Sequence, residues 1–200
     1  KVGIVGELYV KYADFGNDHL LDFLVEQGAE VMVPGILGFA LYSLNIGMEN
    51  NRLYGDKKGV MFSRLAAAYV ESLEKTMLSV LEDFPQFRKP VPFPELKKLG
   101  ENTISCGVCM GEGWLLTAEM AELIEKGYSN IVCVQPFGCL PNHIVGKGMI
   151  RAMTERYSNA NICAIDYDAG SSRVNQQNRI KLMLSLAREQ MRKGAIGVNT

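Results

Sequence analysis

Along the chain, short apolar runs rich in β-branched residues alternate with longer stretches in which apolar side chains recur every three or four positions. The first run, Lys1–Glu7, is predicted as a strand. Asn17 can cap a helix that continues to about Gln27, with Leu20, Leu21, Phe23 and Leu24 apolar and Gly28 as its stop. Glu30–Pro34 reads as the second strand. A short helix is expected over Ile36–Ile46, with Gly38 and Gly47 counting against a longer one. A long helix from about Lys57 to Glu82 carries a broad apolar face: Met61, Leu65, Ala68, Ser72 and Met77, beside Phe62, Tyr69, Leu73 and Val80.

Prolines at 85, 90, 92 and 94 then predict an extended connector near 84–100, because proline donates no backbone hydrogen bond and breaks helices. Beyond it the pattern sharpens. Leu115–Lys126 is a helix ended by Gly127, with Leu116, Met120, Leu123 and Ile124 inward and Glu119, Glu122 and Glu125 toward water. Asn130–Gln135 is a strand, Ile144–Tyr157 a helix and Asn161–Asp166 another strand. Ser171 or Ser172 caps a final helix to Lys193, with Ile180, Met183, Leu184, Ala187 and Met191 on one face and Arg192 and Lys193 at its negative end. Strands separated by such helices imply right-handed crossovers. The expected fold is α/β, a Rossmann-like or flavodoxin-like, mostly parallel sheet with helices on both faces, elaborated by the long helix and the proline connector. Residues 1–200 read as a single domain of two βα halves. Its opening on Lys1, without an initiator methionine, reads as a piece of a longer protein.

Composition narrows the class. The chain is 48% hydrophobic and 22% charged with a formal charge of −1, which suits an ordinary globular protein and offers no basic stripe for nucleic acid. No apolar run reaches membrane-spanning length and no secretory segment is evident, so neither a membrane nor an export route is expected. Five cysteines, an odd number, fit free thiols or ligands in a reducing cytoplasm.

Ligands of open parallel sheets bind beyond the carboxyl ends of the strands. Three such ends are polar and glycine-rich: Gly6–Tyr9, Gln135–His143 and Asp166–Gly170. A fourth cluster, Gly111-Glu112-Gly113-Trp114, precedes a helix, and all four are expected to meet at one end of the sheet. Cys133 and Cys163 sit in apolar strands and read as core. Cys139 lies in a Gly/Pro-constrained loop, as a metal ligand or a spare thiol. Cys106-x-x-Cys109 has the spacing to grip one metal, to form a redox disulfide, or to be two incidental thiols. Cys106, Cys109 and Cys139 would supply three cluster ligands if their loops converged. His143 is a candidate base or phosphate partner, or part of an ordinary helix start. Gly3-x-x-Gly6 and Gly111-x-Gly113 match neither dinucleotide nor P-loop spacing. Asp166 and Asp168 are catalytic or merely solvated carboxylates, and Asn175–Asn178 is a polar lining or a wet first helical turn.

Gly111–Met120 and Asn130–His143, with its run Gln135-Pro136-Phe137-Gly138-Cys139-Leu140-Pro141-Asn142-His143, resemble proteins of the 2-hydroxyacyl-CoA dehydratase activase-related family. The resemblance is to the region related to the dehydratase D-component. Val2–Tyr12, Gly146-Lys147-Gly148, Ala164–Asp168 and Val174–Arg179 fit as well, so it covers most of the chain. It implies Rossmann-like domains, a [4Fe–4S] cluster, an acyl-CoA substrate and a dehydratase or activase partner receiving or passing an electron. By position it points to Cys139 for cluster chemistry, with Cys133 behind it, and to Gln135, Pro136, Asn142, His143, Gly111, Glu112 and Gly113 as lining. The ATP-binding segment of the activases has no counterpart here. The alternative is a non-catalytic Rossmann-like module that binds a small ligand or a protein partner.

Overall fold

A computed structural model of the chain describes residues 1–57 and 59–197. Four parallel strands form one sheet: β1 (Val2–Gly6), β2 (Val31–Met32), β3 (Asn130–Pro136) and β4 (Asn161–Tyr167), in the order β2-β1-β3-β4. The fold is α/β with helices flanking a parallel sheet, a Rossmann-like and flavodoxin-like arrangement. The chain leaves β1 toward one edge and β3 toward the other, so the topological switch point lies between these two strands.

The chain divides into two compact units, and not at the proline segment. One comprises residues 1–33 and 123–200 and holds the sheet; the other is 34–122. In the sheet unit the alternation of strand side chains decides the layers. Val2, Ile4, Val132, Val134, Ile165 and Tyr167 share one face with Val10 of α1 (Leu8–Tyr12), Leu20, Phe23 and Leu24 of α2 (Leu20–Glu26), and Ile180, Met183 and Leu184 of α8 (Arg173–Gly197). On the other face Gly3 lies against Leu123, and α7 (Ile150–Arg156) packs along β4.

Local chemistry explains the element ends. The N-cap of α2 is His19 rather than the expected Asn17, though Asn17 Oδ1 still accepts from the Leu20 N–H at 3.0 Å; the Glu7 carboxylate accepts from the Val10 N–H at 2.8 Å to start α1, which the periodicity did not reveal. After α6 (Leu115–Glu125), Gly127 at φ +84° donates to Ile124 and Tyr128 donates to Leu123, the paired bonds of a Schellman stop.

Several expectations are corrected. The helix after β2 is α3 (Ile36–Tyr54), 19 residues long, running through both Gly38 and Gly47. A Cβ at Gly47 would lie 2.9 Å from Ser63 Oγ, so this glycine serves the close approach of α4 (Val60–Glu82). The proline segment is extended only in part. Pro92 begins α5 (Phe93–Glu101) with Pro94 in its first turn, where a missing N–H costs nothing. The free N–H groups of this stretch are taken by carboxylates, Val91 donating to Glu122 at 2.8 Å and Phe93 to Glu74 at 3.2 Å. Glu119 and Glu122 are accordingly buried rather than facing water. On α4 the buried positions are Ala67, Glu74 and Leu78, while the broad apolar face is exposed. Met191 is exposed too.

Candidate functional site

The carboxyl end of the sheet is shaped first by glycine. Gly6 ends β1 at φ +143°, and a Cβ there would stand 1.9 Å from the Val134 carbonyl oxygen. The two central strands therefore touch at the switch point. Beyond β3, the Cys139 N–H donates to the Pro136 carbonyl across a turn in which Gly138 takes φ +77°. That turn delivers Cys139 and feeds a π-helical segment, Asn142–Lys147, where a single α-helix was expected. The wider turn, closed by the Gly148 N–H on the His143 carbonyl, lets His143 and Lys147 reach the same neighbour.

That neighbour is Asp166 at the end of β4. Register places Gln135 beside it, and Gln135 Nε2 donates to Asp166 Oδ1 at 2.6 Å. Lys147 Nζ donates to Oδ2 at 2.8 Å. His143 Nδ1 lies 2.9 Å from the Cys139 carbonyl, which can only accept, so Nδ1 carries a proton and Nε2 faces Asp166 Oδ1 at 3.6 Å. Gln176 Nε2 of α8 donates to the Asp166 carbonyl and to Ser171 Oγ, each at 2.8 Å. The Cys139 thiol, half-buried, donates to Oδ1 of the fully buried Asn142 at 2.8 Å. Two amide oxygens, Gln135 Oε1 and Gln176 Oε1, are buried with no hydrogen-bond partner.

Burial would raise the Asp166 carboxyl, but the hydrogen bonds from Lys147 and Gln135, with the charges of Lys147 and His143, outweigh it and hold the group below the usual carboxylate range. Both its oxygens are engaged, so Asp166 organises the loop ends rather than waiting as a free base. A folded carboxyl that titrates below its unfolded counterpart contributes stability above the unfolded range, lost as pH falls through the folded value. Lys147→Met is expected to move the Asp166 titration upward, read by its carboxyl carbon shift, and to flatten the acid limb of the stability curve. An unmoved titration would rule the pairing out.

No family model, curated protein or solved structure matches this chain. The site therefore rests on its own geometry. The structure brings Gln135, Pro136, Cys139, Asn142 and His143 together, and adds Lys147, Asp166 and Gln176 as working neighbours. In the sequence Lys147 stood only within the Gly146-Lys147-Gly148 run of the resemblance, Asp166 as a catalytic or solvated carboxylate, and Gln176 within an amide-rich turn.

Gly111, Glu112, Gly113, Cys106 and Cys109 belong to the other unit, where Cys106 and Cys109 pack in a core, Glu112 and Gly113 are buried and Gly111 is exposed. Trp114 is 1% exposed, against Tyr42 and Phe93. Gly113 holds φ +45° because a Cβ would meet the Val108 carbonyl at 2.2 Å and the Tyr42 hydroxyl at 2.5 Å. Packing thus accounts for Gly113 without a phosphate, while Gly111, at φ +57°, is exposed. Burial, aided by Glu101, pushes the Cys106 thiol up to about 12, so it stays protonated and is a poor nucleophile for a redox dithiol. Cys133 is sealed in β3, and among the described residues no cysteine is in a disulfide.

An iron–sulfur cluster of the four-iron type takes four cysteine thiolates as its usual ligands. Among the described residues no three His, Cys, Asp or Glu side chains come together to hold a metal ion. The strand end brings one thiol, Cys139, whose polar neighbour is an amide oxygen. These residues do not fit a complete cluster. Nor, among the described residues, is any helix long and apolar enough to cross a membrane.

Proposed function

We propose that this chain is a D-component-like domain of the 2-hydroxyacyl-CoA dehydratase/activase system. It docks against a dehydratase or electron-transfer partner and offers Cys139 as one ligand of a cluster completed from outside these residues. One observation carries the reading: Cys139 is presented, half-buried, beyond a central strand at the switch point, within the Gln135–His143 run on which the resemblance rests. The Asn142, His143 and Asp166 contacts support it by holding that loop in one conformation.

The test measures iron and acid-labile sulfide per chain after anaerobic purification and reconstitution with an external thiol to complete the ligand set. The chain is expected to retain iron and sulfide that Cys139→Ser loses. No iron in either, or the same in both, would remove Cys139 from cluster chemistry. A second reading would then stand, a non-catalytic module for a small polar ligand. Its support is the pair of unpartnered amide oxygens, Gln135 Oε1 and Gln176 Oε1, which call for N–H or O–H donors.

A further inference from the structure

The outer face of α4 is a long apolar stripe on a 23-residue helix of about 35 Å. Phe62, Leu65, Tyr69, Leu73, Met77 and Val80 follow one another at spacings of three and four, with exposures between 44% at Leu73 and 72% at Phe62. Together they open on the order of 700 Å² of mostly apolar surface, above the few hundred Å² that monomers ordinarily leave exposed in one patch and near the ~800 Å² per partner of a stable interface.

The order of these residues reads the same in both directions. About a point near Glu71, Phe62 corresponds to Val80, Leu65 to Met77, and Tyr69 to Leu73. An isologous two-fold interface requires that correspondence, since each residue must meet the partner of its own partner. Arg64, Glu71, Lys75 and Glu82 lie about 160° round the helix from this stripe, beside the buried Ala67, Glu74 and Leu78, so the stripe itself carries no positive charge to draw an anionic lipid surface.

We propose that α4 is a self-association surface: two copies of this chain pair antiparallel through the Phe62–Val80 stripe, with Glu71 level with the two-fold axis.

Sedimentation equilibrium of the chain from about 1 to 100 μM should show a monomer–dimer equilibrium. Tyr69→Glu should weaken it by about a hundredfold, with circular dichroism unchanged, while Arg64→Glu, on the far side of the helix, should leave it unchanged. Ser72→Cys, near the two-fold axis, should crosslink under mild oxidation above the background of the unsubstituted chain. Ser79→Cys, about 24 Å from its copy, should not. A monomer throughout overturns the proposal and leaves the stripe to a different protein. A dimer indifferent to Tyr69→Glu, weakened as much by Arg64→Glu, or crosslinked equally at both cysteines, overturns it as well.

Discussion

Gly6→Ala is expected to abolish the folded sheet, or to destabilise it by on the order of 4 kcal/mol or more. The added methyl would stand 1.9 Å from the Val134 carbonyl oxygen and 2.8 Å from its carbon. These are backbone atoms at the carboxyl end of the β1–β3 ladder, so no rotamer change relieves the overlap. Relief requires the two central strands to separate where the Glu7 N–H donates to Val134, which removes hydrogen bonds and apolar packing together. The left-handed backbone at φ +143° adds a penalty that only glycine escapes. Gly127→Ala separates the two contributions, because Gly127 also holds a positive φ but has nothing within 4 Å of a Cβ. It should cost about 1 kcal/mol. Urea denaturation followed by circular dichroism compares them, and similar midpoints for the two variants would refute the close-approach account. Since Gly6 sets the spacing of β1 and β3 at the switch point, the same change should displace the loop that carries Cys139.

Trp114→Ala is expected to cost about 3–5 kcal/mol in the 34–122 unit. The side chain is 1% exposed and meets Tyr42 edge-on at 5.3 Å and Phe93 at 6.1 Å. A Cβ at Gly100 would fall 2.6 Å from the indole, so the walls are close on that side as well. Removing the indole leaves a cavity that the rigid α3 and α5 helices cannot fill, and Trp114→Phe, which keeps most of the volume, should cost less than half as much. Urea denaturation by circular dichroism again gives the shift, with hydrogen exchange of α3 amides locating it. This matters for function because Gly111-Glu112-Gly113-Trp114 was expected among the clusters at the ligand-binding end of the sheet. A ligand-binding tryptophan would lose affinity on truncation and leave stability nearly unchanged, which is the result that would restore that role.

Much of the architecture could be read from local pattern. The four strands, the helices after β1 and β4, and the glycine stop at 127 follow from neighbour-scale preferences, in which short β-branched runs favour strands and a left-handed residue after a helix favours glycine. The loop after β3 was legible for the same reason, since Pro136 and Gly138 constrain a turn whatever surrounds them. What misled was burial. The period of α4 announced an amphipathic helix, yet its apolar side faces outward and Glu74 is among the residues turned in, because Glu74 answers the Phe93 N–H at the start of α5. Glu122 was assigned to water and instead answers Val91. Each carboxylate balances an N–H that lies 19 or 31 residues away, a requirement no local window contains.

The sequence by itself determined that this is a parallel α/β protein, which segments build its sheet, and that Cys139 lies in a constrained loop past a central strand. Backbone sterics and side-chain periodicity act between near neighbours, so they are written in the order of residues. Tertiary structure alone decided that Lys147 and Gln135 converge on Asp166, that Cys106 and Trp114 are core, and that the stripe on α4 is left open. Those outcomes depend on which distant groups meet, and on whether charge, hydrogen bonding and volume are satisfied when they do.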